Sequence, residues 1–355
     1  MSQEIDLWED ILPDLDMADR LLDELLPQKN VSSMSFMEDV LQGNWVLEPD
    51  LFWQYLKEAA LGMTTEWKRL FASILVLFIA AAVVNAVLSA FKNDGAAHAA
   101  KTFFVLCELL VLVNAFKDVL DIVNGAMEQM LSFLKLMLPS YMICIAAAGS
   151  GMTALIFYKL LLGFLCLIEG LAAASLIPVV EGYVMLGVVE SIWGEERFRG
   201  MMELMEKTVQ WVIKGMVVLL SGSSILQIII TPVIDRANTA VLNKTAGAIP
   251  GIGDIVESVS SVTLASAIAV KNSLGALILA VLVLLIAEPV LRAFIIIAII
   301  RVSGALGSIC GERQMMKCVD YISEAGFMLL RILITVATLF FVTIAAVTNV
   351  TSGTF

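Results

Sequence analysis

Residues 70–91 read LFASILVLFIAAAVVNAVLSAF, bounded by Lys68-Arg69 on one side and Lys92 on the other. A helix rises about 1.5 Å per residue and the hydrocarbon core of a bilayer is about 30 Å thick, so about 20 consecutive apolar residues cross it. This stretch is long enough, and it carries no charge on any face. A soluble core helix rarely needs so many apolar residues. The run therefore sets the fold class: an all-α, polytopic helical membrane protein.

Comparable runs follow. Thr102 to Phe116, between Lys101 and Lys117, is short for a crossing and carries Glu108 near its middle. Leu136–Phe157 and Leu160–Val180 are separated only by Tyr158-Lys159, a connection that predicts an antiparallel hairpin. Gly149, Gly151 and Gly163 would let its helices approach closely. Trp211–Thr231, Leu274–Ile300 and Phe327–Val350 bring the expectation to about six to seven membrane segments. Amphipathic interfacial helices are expected near 118–135, 190–210 and 248–272. In the first of these Leu120, Val123, Met127, Met130, Leu131 and Leu134 share a face that excludes Asp118, Asp121 and Glu128.

Composition agrees with this class: 59% of residues are hydrophobic, 16% are charged, and mean hydropathy is +0.91, outside the range of soluble domains. The net charge of −12 is concentrated at the start, where residues 1–69 hold 15 acidic and 5 basic side chains. Phosphate binding needs clustered Lys and Arg, so nucleic acid is not expected as a partner. The domain reading is an acidic extramembrane helical region over 1–69, a helical membrane domain over 70–350 and a short tail over 351–355.

Within the acidic region Pro13, Pro27 and Pro49 separate short helices. Leu15, Ala18, Leu22 and Leu25 have helical spacing, as do Phe52, Tyr55, Leu56 and Ala59. Ser35 and Glu38 have capping-box spacing. Met1 to Asp6 has neither the basic nor the apolar part of a secretory signal, so none is visible in this numbering. Lys and Arg favour the cytoplasmic side. If Thr102–Phe116 does not cross, an external N-terminus puts Lys92, Lys101, Lys117, Lys135, Arg197, Arg199, Lys207, Arg301, Arg313 and Lys317 inside. Seven spans with an internal N-terminus fit nearly as well.

Three prolines sit among apolar residues beside a charge: Pro178 before Glu181, Pro232 before Asp235, and Pro289 between Glu288 and Arg292. Each lacks a backbone donor and clashes with the preceding turn, so each predicts a helix end or kink. Apolar sequence continues on both sides of Pro289, which points to a kink inside the membrane. Charges at membrane depth find a partner or water. Glu288 and Arg292, four residues apart, share a helix face and predict an ion pair. Glu108 and Glu169 interrupt apolar runs and would meet Lys159, Lys214 or Arg331 on other helices.

Enzyme chemistry is not expected. His98 is the sole histidine, and Cys107, Cys144, Cys166, Cys310 and Cys318 show no metal-ligand spacing. No catalytic residue, cofactor or metal is assigned. Membrane lipid is an expected partner throughout, and self-association is expected. An alternative function is a self-contained secondary transporter of a small solute using Glu108, Glu169, Glu288 or Arg292, since broken helices with ionisable groups line many transport paths.

The least ordinary polar stretch is Ala248-Ile-Pro-Gly-Ile-Gly-Asp-Ile-Val-Glu257, followed by Ser258, Ser260, Ser261, Thr263 and Ser266 and ending at Lys271-Asn272. Pro250, Gly251 and Gly253 suit a turn, and Asp254 would cap a helix beginning near Ile255. Ile249–Asp254, the continuation Lys271-Asn-Ser-Leu-Gly275, Leu134–Pro139 and Ala146–Ser150 together resemble the stage III sporulation protein AE family. The order of apolar segments is similar from about residue 50 onward.

The resemblance implies a multispanning component of the transenvelope complex that links mother cell and forespore. It implies other stage III A sporulation proteins and channel components as partners, and residence in the mother-cell-derived membrane around the forespore. On that basis the chain would be a conduit or export-gate element of a secretion-like assembly. The family brings no catalytic residues.

Overall fold

The computed structural model describes residues 15–25, 32–42, 49–62, 64–90, 94–193, 197–219, 253–310 and 313–350. Among the described residues of the acidic region there are three short helices: α1 (Leu15–Leu25), α2 (Ser33–Leu41) and α3 (Pro49–Gly62). Ala18 and Leu22 of α1 and Phe36 and Met37 of α2 are buried in the main hydrophobic core, so this region packs on the bundle. The cap of α2 lies three residues before the expected one. Ser32 accepts the Ser35 N–H at 3.1 Å, which leaves Ser35 inside the first turn. Asp19 of α1 accepts both the N–H and the hydroxyl of Ser33, placing a carboxylate at the α2 N-terminus.

The bundle follows as α4 (Thr64–Ala90), α5 (Asp94–Ile145), α6 (Gly151–Leu171), α7 (Ile177–Trp193), α8 (199–219), α9 (Gly253–Gly307) and α10 (Arg313–Val350). Two expected breaks are absent. Thr102–Phe116 and the amphipathic 118–135 stretch are one helix of 52 residues, and 253–272 continues directly into Leu274–Ile300 in a helix of 55. The joints, Lys117-Asp118 and Lys271-Asn-Ser273, contain neither Pro nor Gly. A change in which face is apolar does not interrupt the backbone ladder.

The reversal also moves. Lys135 on α5 meets Glu169 on α6 at 2.8 Å, so the chain turns back between them, around the π-helical turn Ala146–Ser150. Tyr158-Lys159, expected to be the hairpin connection, lies within α6. The Ala- and Gly-rich 146–151 sequence has little side-chain bulk to oppose the turn, whereas Tyr158 and Lys159 fit a helix well. Gly163, expected at a close crossing, has nothing near its missing Cβ.

A second π-helical turn, Ala172–Leu176, joins α6 to α7 without a break, since Leu171 and Ile177 on either side both keep helical angles; Pro178 thus lies inside a continuous helical run just past the widened turn, and the helix end expected there is absent. Pro289 is also within a helix: α9 runs through it to Gly307. Pro232, Pro250 and Gly251 lie outside the described residues.

Helices α9 and α10 form the centre as an antiparallel pair. A Cβ on Gly275 would meet Thr348, one on Gly326 would meet Ile297, and one on Gly304 would meet Val319. Small residues at these crossings let the backbones approach, which is how helices pack without a hydrophobic drive from lipid. Helix α5 lies against both, α7 packs on α10, and α4 lies on α5 and α9. Among the described residues four helical stretches are long and apolar enough to cross a membrane: Thr64–Leu88, Leu161–Trp193, Ser266–Gly307 and Arg313–Thr348. The first faces mostly outward and the last is mostly enclosed.

Candidate functional site in the helical bundle

Three helices converge on Lys271. This lysine of α9 is fully buried, and its ammonium donates to the Thr348 carbonyl of α10 at 3.4 Å. Tyr141 of α5 and Thr348 bring their hydroxyls to 2.5 Å. The single hydroxyl hydrogen of Thr348 is directed to the Ile344 carbonyl at 3.0 Å, so Tyr141 is the donor. A Cβ on Gly275 would lie 2.7 Å from Thr348 Oγ1 and 3.3 Å from the Tyr141 hydroxyl. The Lys271–Gly275 motif thus supplies both the buried cation and the missing side chain that lets the three helices meet.

The second polar group lies at Pro289. Arg292 pairs with Glu288 across one helical turn, as their spacing requires. Sequence spacing could not supply the third member: Tyr55 of α3 donates to Glu288 Oε2 at 2.8 Å. Helix α3 is thereby tied to α9 by a charge-assisted bond. Beside this cluster an apolar groove of about 440 Å³ opens between α9 and α10, lined by Phe52, Leu282, Ile286, Val290, Ile334 and Phe341 among others.

The other two acids do not find the partners expected of them. Glu169 pairs with Lys135, not with Lys159, Lys214 or Arg331. Arg331 instead reaches Glu324 at 3.4 Å on its own helix, and Arg301 of α9 approaches the same carboxylate at 4.0 Å. Glu108 is fully buried, and neither carboxyl oxygen has a hydrogen-bond partner among the described residues. The buried Cys318 thiol of α10 lies within electrostatic reach of this carboxyl. Gly253 and Asp254 begin α9, where the sequence placed a turn and a cap.

A polar cluster the sequence reading missed joins α7 to α10. Glu190, read only as the start of a charged stretch, is buried. It accepts from the Tyr321 hydroxyl at 2.7 Å and from the Phe198 N–H at 3.2 Å. Gln314 donates to the Ser191 carbonyl at 2.5 Å. A Cβ on Gly187 would lie 2.9 Å from that of Tyr321, so the helices touch here. The available signal was a carboxylate directly after an apolar run.

The arrangement with most bearing on function is a register. Glu108 is near Cys318 and Tyr141 meets Thr348, so α5 and α10 run parallel. The α5 stretch between Glu108 and Tyr141 therefore lies alongside the apolar body of α10. There α5 buries Val119, Val123, Met127, Met130 and Leu134 and exposes Asn114, Asp118, Asp121, Glu128, Ser132 and Lys135. These polar positions recur at helical spacing and form one stripe. At the same height α10 exposes Ile334, Phe341 and Val342. The outer surface is thus apolar on one side and charged on another at a single level. Among the described residues no three His, Cys, Asp or Glu side chains converge as metal ligands would.

Residues 31–351 match the family model described as Stage III sporulation protein AE. Over 287 residues the chain is 19% identical to the Stage III sporulation protein AE of Bacillus subtilis (strain 168), covering 80% of this chain and 71% of that protein. No solved structure matches.

Proposed function

Because the chain belongs to the stage III sporulation protein AE family, we propose that it is an integral membrane component of a sporulation transenvelope assembly and contributes a conduit or export gate. In this reading residues 70–350 form a multi-pass domain of six to seven membrane segments in the mother-cell-derived membrane around the forespore. Residues 1–69 form an extramembrane region docked by Tyr55, and 351–355 a short tail. Its partners are other stage III A proteins and further copies of itself.

The observation that carries the reading is the polar stripe on α5 beside the apolar body of α10. Each carboxylate facing hydrocarbon costs about 3 kcal/mol on insertion scales, so Asp118, Asp121 and Glu128 together disfavour lipid contact by about 9 kcal/mol. Such a face is stable against water or protein. Copies or sister subunits that turn this face inward enclose a wetted path, whose outer wall is the apolar surface of α4 and α10. The Glu288–Arg292 pair, closed by Tyr55, suits a fixed structural joint and not the labile charge of an ion-coupled transporter.

Cysteine accessibility tests the reading. In a variant lacking the five native cysteines, Asp121→Cys and Glu128→Cys should react with a charged, membrane-impermeant thiol reagent in sporulating cells. Val76→Cys, on the outward apolar face of α4, should not. Failure of both stripe positions to react above the Val76 background would remove the conduit reading.

A further inference from the structure

The end of the bundle where α7, α8 and α10 meet holds a second cavity, of about 300 Å³, lined by Tyr183, Arg199, Met202, Glu203, Glu206 and Tyr321. Its wall combines two phenol rings with carboxylates. Tyr183 is only 6% exposed, yet its hydroxyl makes no hydrogen bond to any described residue. The charges that bear on that hydroxyl most strongly are all negative: Glu324, Glu206, Glu190 and Asp320.

These acids are unequally neutralised. Arg199 pairs with Glu203, and Arg331 with Glu324. Glu190 is held by a phenol and a backbone N–H, and Glu206 by the Gln210 amide at 3.0 Å, all uncharged donors. The cavity therefore presents aromatic faces, an unused phenol oxygen and, in Glu206, a carboxylate with no cationic partner among the described residues. A metal ion is a poor occupant, because no three ligating side chains converge there among the described residues. A flat organic cation fits better, since guanidinium stacks on aromatic rings and donates to several oxygens at once.

We propose that this cavity binds a guanidinium group. The group is presented either on a small alkylguanidine or as an arginine side chain of a protein partner. The site is distinct from the α5 stripe and stands or falls independently of the conduit reading.

The test uses the full chain in lipid nanodiscs, titrated calorimetrically with agmatine and with the capped tripeptide Gly-Arg-Gly, and with Gly-citrulline-Gly as the uncharged control. At least one guanidinium probe should saturate, and the citrulline peptide should bind at least tenfold more weakly. Binding of agmatine and the peptide alike assigns the site to a free alkylguanidine. Binding of the peptide alone assigns it to a protein partner. Tyr183→Phe, which removes only an unbonded hydroxyl and so leaves the fold intact, should weaken binding several-fold, and Glu206→Gln about tenfold. Absence of saturation by both probes through the millimolar range, or affinities unchanged in both variants, would overturn the assignment.

Discussion

Replacing Gly304 by alanine probes the contact on which the central helix pair depends. The new Cβ would lie 2.4 Å from Val319 Cγ1, 3.0 Å from its Cβ and 3.2 Å from Cγ2. Val319 is itself buried and β-branched, so it has no free rotamer in which to retreat. The backbones of α9 and α10 must separate, and overpacking of this kind costs about 2–3 kcal/mol. At about 1.4 kcal/mol per decade, the folded-to-unfolded ratio falls roughly 30- to 150-fold.

The partner substitution makes the test quantitative. Val319→Ala deletes two carbons, worth about 1.6 kcal/mol at roughly 0.8 per group. It also vacates the space that the methyl introduced by Gly304→Ala needs. The double variant should therefore lose only about 1 kcal/mol, where independent effects would sum to about 4. Denaturant unfolding of the three variants in mixed micelles measures the cycle. Additive losses, or a Gly304→Ala protein as stable as the parent, would refute the close crossing of α9 and α10.

Tyr55→Phe should release α3 from α9. A hydrogen bond to a charged group contributes about 1.5–3 kcal/mol, and partial exposure of this cluster argues for the lower end. Faster cleavage between α2 and α3 by a soluble protease, with unchanged insertion, is the expected result; unchanged cleavage counts against the tie. Reversing Glu288 alone to Lys should reduce the yield of folded protein, because it sets two cations on one helix face. Adding Arg292→Glu should restore the yield, and a double variant as poor as the single would disprove the pair.

How far the sequence reaches is clearest from particular elements. The apolar run at 70–91 identifies α4 because length and hydrophobicity alone specify a span. Leu15, Ala18, Leu22 and Leu25 identify α1 because helical periodicity is local. The Glu288–Arg292 pair follows from spacing on one helix. The same local view misplaces the hairpin at Tyr158-Lys159, where a charge follows an apolar run, and splits α5 at Lys117-Asp118, where only the direction of the apolar face changes. It assigned Glu169 to Lys159, Lys214 or Arg331, although the turn at 146–150 delivers Lys135. Tyr55 and Tyr321 gave no signal, since each finds its carboxylate on a distant helix.

By itself the sequence determined that this protein is helical, has runs long and apolar enough to cross a membrane and concentrates its acidic residues in 1–69. These properties follow from the composition and period of contiguous residues and from the cost of exposing apolar surface or unpaired backbone. Only the tertiary structure decided that α5 runs parallel to α10 with its charged face outward, that Lys271, Tyr141 and Thr348 meet, and that Tyr183 and Glu206 share a cavity. These depend on helix register. Register is set by which small residues, such as Gly275, Gly304 and Gly326, oppose which side chains across a crossing, and local periodicity carries no information about that pairing.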